Sequence, residues 1–225
     1  MAAKTTKAAK KPTKTVKKTT KKARPARIAF VLDRSGSMAD IWESALKSLN
    51  GFVTEQKNIG AKTTFTLVFF DDQYETFYAD VPIESVKEIT PLDVQPRAMT
   101  ALYDAIGKTI NSMGESPKGT DTIIAVMTDG HENASREYDL EKVKNIVKSA
   151  QGKKWQVVFL GANLDVAAFS GATGLRVGST MQYAPTNAGI SGAMMSMTMG
   201  VANYRTGATM SVDLTNQPKA NAEEK

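Results

Sequence analysis

Cysteine is absent from all 225 residues, and there is a single histidine, His131. Without cysteine, neither a disulfide framework nor a thiolate metal site is possible, which fits a reducing compartment. No run approaches the ~20 uninterrupted apolar residues that a membrane helix needs, so no membrane partner is expected. The N-terminus carries positive charge with no apolar segment behind it, so no secretory signal is expected. It is rich in lysine rather than arginine, which argues against a mitochondrial transit peptide. No P-loop and no GxGxxG occurs, so nucleotide chemistry has no support. No GxSxG occurs either, so a catalytic pairing of His131 with neighbouring Asp129 lacks a nucleophile.

Acidic residues are also missing from residues 1–27, where nine Lys and two Arg give +11 of a total net charge of +6, leaving −5 for residues 28–225. Such a Lys/Thr/Ala/Pro stretch cannot offset its ordering entropy by burial, so residues 1–27 are expected to be a disordered basic arm. Its charges suit condensed phosphates, which makes non-specific nucleic acid a candidate partner. Base recognition is not expected, because the arm has no aromatic residue to stack on. Solubilisation or contact with acidic partners are equal alternatives.

From Ile28 the pattern changes to alternating strands and helices. Ile28–Leu32 is a short unbroken apolar run, as a strand covered on both faces requires. Ile41, Ala45, Leu49, Phe52 and Val53 then recur at helical spacing. Thr64–Phe70 reads as a second strand, joined through Asp71-Asp72-Gln73 to an edge strand at Glu75–Val81 in a hairpin. A helix carrying Leu102 to Met113, a strand at Thr122–Met127, a helix carrying Leu140 to Ala150 and a strand at Trp155–Leu160 follow. Asn163–Phe169 reads as a short helix, Met181–Tyr183 as a last edge strand, and Ile190 to Tyr204 as a terminal helix whose Met-rich stripe is ordinary core. This rhythm predicts an α/β, doubly wound, Rossmann-like fold. The sheet should be mostly parallel with one antiparallel edge strand and helices on both faces. The domain is expected at residues 28–205, with a flexible tail at 206–225.

Ligands in such sheets bind outside the carboxyl ends of the strands. Those ends carry Asp33, Ser35 and Ser37 after the first strand and Asp129 after the strand at 122–127. Thr100 stands before the second helix. Two carboxylates and three hydroxyls form a hard-oxygen set suited to octahedral Mg²⁺. For the first triplet alone, a helix cap is an equal reading. Asp71-Asp72 is explained by a turn without a second cation.

Asp33-x-Ser35-x-Ser37 after an apolar strand, Thr100 before a helix and Thr128-Asp129-Gly130 after another strand resemble the metal-ion-dependent adhesion site of von Willebrand factor A domains. The likeness spans about residues 28–205. The stretches Val31–Met38, Thr100–Gly107 and Thr128–Ser135 are similar to the small intracellular A-domain proteins of bacteriophages and bacteria. The resemblance implies a bound Mg²⁺, with Mn²⁺ or Ca²⁺ as alternatives. Ser35, Ser37 and Thr100 would touch the metal, while Asp33 and Asp129 would hold it mainly through water. The family usually has glycine two residues before the threonine, whereas Ala98 stands here, and that departure bears on Thr100.

The resulting expectation is a binding module, not an enzyme, whose metal accepts an Asp or Glu of a protein partner. The rival is a nucleic-acid- or virion-associated architectural protein acting through its arm. A phosphoesterase lacks a general base at good spacing. Asp104 would support Thr100 or serve a structural hydrogen bond, and Arg34, Met38 and His131 would form the rim that reads the partner. The resemblance places the protein in the cytoplasm, that of a bacterial host if phage-encoded, with association to the virion as an alternative.

Overall fold

The computed structural model describes residues 23–215, so the arm up to Lys22 and the last ten residues lie outside the described residues. Six strands form one sheet: β1 (Ala26–Asp33), β2 (Thr63–Phe70), β3 (Tyr74–Pro82), β4 (Asp121–Thr128), β5 (Gln156–Gly161) and β6 (Thr180–Gln182). Their order is β3-β2-β1-β4-β5-β6. Every pairing is parallel except β2 with β3. Five helices complete the domain: α1 (Trp42–Asn58), α2 (Leu102–Ser112), α3 (Leu140–Gly152), α4 (Val166–Thr173) and α5 (Asn187–Arg205). This is the expected doubly wound fold with one antiparallel edge strand.

The unbroken apolar strands arise because both faces of the sheet are covered. Successive side chains point to opposite faces. Ile28, Phe30 and Leu32 of β1 therefore enter one core with Phe52 of α1 and Met197 of α5. Ala29 and Val31 enter the other, with Ile106 of α2, Val147 of α3 and Val166 of α4. Edge strand β3, by contrast, is half-buried or exposed along its length. The register sets Asp33 level with Phe70 and Leu32 level with Met127, so the loops after β1, β2 and β4 leave the sheet at one end. Among the described residues no helix is long and apolar enough to cross a membrane.

Most strand ends shift by one residue from the sequence reading, and three larger differences change the architecture. The first strand begins at Ala26, and the two residues Arg24 and Arg27, assigned to the arm, are tied to the domain through Asp121 at 3.1 Å and Asp80 at 3.4 Å. The helix expected from Asn163 begins at Val166: Asn163 has a left-handed φ of 55°, and Asp165 caps the helix by accepting from Ala168 N at 2.9 Å. Order does not stop at Arg205. The chain turns back so that Val212 and Leu214 are buried in the α1–α5 core, with Leu214 N donating to Gly178 O at 2.7 Å. Two apolar residues in a polar stretch show no period, so the pattern could not reveal this return.

Candidate metal centre

β1 delivers Asp33, fully buried, at its last position. Its Oδ1 accepts from Ser35 N at 2.7 Å and its Oδ2 from Thr128 Oγ1 at 2.5 Å, which joins the ends of β1 and β4. The chain then turns through a short 3-10 segment, Gly36–Ile41, before α1. Ser35 Oγ and Ser37 Oγ stand 3.2 Å apart, and Ser37 Oγ donates to Asp129 Oδ1 at 2.6 Å. The cap reading of the triplet has no support here, since Ser35 makes no side-chain capping bond to the segment that follows.

Thr100 joins this group despite Ala98. The backbone at Ala98 is left-handed, φ 57°, the conformation for which glycine is suited. Two bonds stitch this loop to the serine loop: Gly36 N donates to Ala98 O at 3.2 Å and Arg97 N to Arg34 O at 2.7 Å. Asn133 clamps Thr100 from the other side, its Oδ1 accepting from Thr100 N at 2.8 Å and its own N donating to Thr100 O at 3.0 Å. Gly130 shows where the hydroxyls converge. A Cβ there would stand 3.1 Å from Thr100 Oγ1, 3.4 Å from Ser37 Oγ and 3.9 Å from Ser35 Oγ. The structure thus brings all five residues together around a space left open by glycine.

The electrostatics of that space suit a cation. Burial raises the Asp33 carboxyl to about 6, against hydrogen bonds from Thr128 and Ser35 that lower it. Burial likewise raises Asp129, against the bond from Ser37. Tyr183 is raised by burial and by these two carboxylates, and its hydroxyl donates to Thr128 O at 2.9 Å. Among the described residues neither aspartate pairs with a lysine, arginine or histidine. No cluster of three or more His, Cys, Asp or Glu occurs among the described residues, because the oxygens here come from two carboxylates and three hydroxyls. Hard, mostly neutral oxygens beside two carboxylates fit Mg²⁺.

Of the expected rim, only His131 is exposed. Met38 is fully buried in the core beneath the loop, so it cannot read a partner. Arg34 is buried and turned away: its Nε reaches Asp71 Oδ2 at 3.0 Å and its Nη1 reaches Glu75 Oε2 at 2.7 Å. Asp104 does not hold the Thr100 side chain. Its carboxylate accepts from the backbone N of Arg136, Glu137 and Tyr138, at 3.1, 3.0 and 2.8 Å, and so shapes the loop between β4 and α3.

Two organising groups were not found from sequence. Asn133 is one, acting 33 positions from its partner. The other is Asp71, fully buried, which takes Arg34 Nε, Arg97 Nε at 2.7 Å and Gln73 N at 2.7 Å, while its backbone O accepts from Ala101 N at 2.8 Å. Its place in a turn was legible, but the two arginines come from distant loops.

The family model of the von Willebrand factor type A domain matches residues 28–172. No curated protein matches the chain. Among solved structures, proximal thread matrix protein 1 from the mussel byssus is similar at a TM-score of 0.58 and 15% identity, over 81% of this chain and 47% of that one. The pilus adhesin SpaC from Lactobacillus rhamnosus GG is similar at a TM-score of 0.63 and 12% identity, over 81% of this chain and 31% of that one. The SpRpn10 VWA domain is similar at a TM-score of 0.55 and 11% identity, over 76% of this chain and 94% of that one. The chain spans less than half the length of the first two, and identities this low speak for the fold alone. The family match over most of the domain, on a sheet of the expected order, establishes that this chain belongs to the von Willebrand factor type A domain family.

Proposed function

We propose that this chain is a metal-dependent protein-binding module and not an enzyme. Domains of this family commonly serve as protein-interaction modules. The observation that carries the finer reading is the convergence of Ser35, Ser37 and Thr100 hydroxyls on the space beside Gly130, with Asp33 and Asp129 behind them. Those five residues would hold Mg²⁺, which when bound offers a Lewis-acid position to a carboxylate oxygen. Neutral hydroxyls leave such an ion more electrophilic than a ring of carboxylates would. The chain's own groups hold the site in shape. Thr128 and Ser35 N fix the Asp33 carboxylate, and Asn133 fixes the Thr100 backbone. An Asp or Glu of a protein partner is the ligand this position would accept. His131 and Met99 are exposed beside it and would meet the partner's neighbouring residues.

The test is affinity capture with the full chain in Mg²⁺ and in EDTA, beside Asp33→Ala and Ser37→Ala, with calorimetric titration of Mg²⁺ alone. Mg²⁺ should bind the wild type at one site, and both variants should lose that heat and the Mg²⁺-dependent partner. Ser37 is exposed, so its variant should fold even if Asp33→Ala does not. Capture that persists unchanged in EDTA would sink the proposal.

A further inference from the structure

At the end of the sheet opposite the aspartates, a cavity of about 430 Å³ is lined by Arg24, Lys154, Arg176, Tyr204, Arg205 and Thr209, among others, and no acidic residue lines it. Its size lies in the range of small-molecule sites. Arg205 is fully buried, and the acceptors of its Nη groups, Gln56 and Thr63, are neutral. Its Nε finds no acceptor among the described residues, and neither does the buried Thr209 Oγ1. Both atoms lie beneath the cavity wall, out of reach of a molecule held in it, so Arg205 offers the cavity its charge and not a hydrogen bond. Lys154 and Arg176 are exposed and form no side-chain hydrogen bond or ion pair among the described residues.

Helix dipoles alone do not explain this charge. Helices α3 and α5 end beside the cavity, and a helix C-terminus is worth about half a negative charge. Asp121 stands nearby and is taken up by Arg24 at 3.1 Å and by the Tyr204 hydroxyl at 3.1 Å. Arg24 is paired with Asp121 and Arg205 feels both Asp121 and Glu84, so Arg176 and Lys154 are the two cations left to a ligand, which matches a terminal phosphate at about −1.5 to −2. A phosphodiester carries only one. We propose that this cavity is a binding site for a small phosphate monoester, with Arg176 and Lys154 meeting the phosphate oxygens, Arg205 adding charge from beneath and Met210 flanking the organic part. The site is independent of the metal centre and of the partner it would take.

The test is calorimetry of the full chain with inorganic phosphate and with phenyl phosphate, at ionic strength held constant with chloride. One saturable site per chain is expected for both. Arg176→Gln should weaken it about tenfold or more, as loss of a charge-assisted bond does. Lys154 has a left-handed φ of 64°, so Lys154→Gly should weaken binding while the thermal midpoint stays equal or rises. A chain with the nine lysines of residues 1–22 replaced by glutamine should keep its affinity within about twofold. No saturable binding, or binding indifferent to Arg176→Gln and Lys154→Gly, would overturn the proposal. So would binding lost with the arm lysines, or equal competition by an oligonucleotide without terminal phosphate. Those last two results would assign the charge to a nucleic-acid backbone.

Discussion

A side chain at Gly130 would enter the space that Ser35, Ser37 and Thr100 share, within 3.1 Å of the threonine hydroxyl. Gly130→Ala should therefore leave the fold intact and remove cation binding. Mg²⁺ should raise the thermal midpoint of the wild type and leave that of the variant unmoved. An equal shift for both would place the ion elsewhere. The second residue of this kind is Ala98, held at φ 57°. Alanine there stores strain that glycine would not, partly offset by glycine's greater freedom in the unfolded chain. Ala98→Gly should stabilise the protein by about 0.5–1 kcal/mol, read as a higher urea midpoint; a lower midpoint would show the loop to be relaxed. The departure at Ala98 was visible in the sequence. Only the backbone angle shows that the loop keeps the left-handed shape and brings Thr100 in regardless.

Between elements, the decisive contact is Asp71, where the end of β2 meets the loop after β1 and the loop before α2. Asp71→Asn would take from the buried Arg34 guanidinium the buried one of its two carboxylates, leaving only the exposed Glu75, at a cost of about 1.5–3 kcal/mol. Burial raises the Asp71 carboxyl, but bonds from Arg97, Gln73 N and Arg34 outweigh it and hold the group below the ordinary aspartate value. A depressed carboxylate contributes stability that is complete above the unfolded value, ~3.9, and is lost as pH falls through the folded one. The gap in urea midpoint between wild type and Asp71→Asn should accordingly narrow on acidification below about pH 4. A gap that stays constant would show that the charge of Asp71 is irrelevant. Strands and helices themselves were legible from period and caps, because a two-sided parallel sheet demands unbroken apolar runs. The loops that meet at Asp71 were not, because the pairing joins positions 26 and 37 residues apart.

For the molecule as a whole, the return of residues 206–215 onto the α1–α5 core changes where the domain ends. Val212 and Leu214 are each 1% exposed, and burying a side chain of this size is worth about 1.5–3 kcal/mol. Ending the chain at Arg205 should lower stability by about 3–5 kcal/mol. The pair Val212→Ala and Leu214→Ala in the full chain should show most of that loss. Unaltered stability in both would mean that the return adds nothing. At the other end, Arg24 and Arg27 belong to the domain's ion pairs, so two of the eleven positive charges assigned to the arm are the domain's own.

The sequence alone determined the layered α/β fold, the strand-end positions of Asp33, Ser35, Ser37 and Asp129, and the oxygen-only chemistry of the set. These follow from period, from chain direction and from residue type, all of them local properties. Tertiary structure decided that Thr100 reaches the same space, that Met38 and Arg34 are buried instead of facing a partner, and that Asn133 and Asp71 hold the loops. It also gathered Arg24, Lys154, Arg176 and Arg205 around one cavity from four separate parts of the chain. No local pattern encodes such meetings, because they depend on which loops the register of β1, β2 and β4 carries to the same end of the sheet.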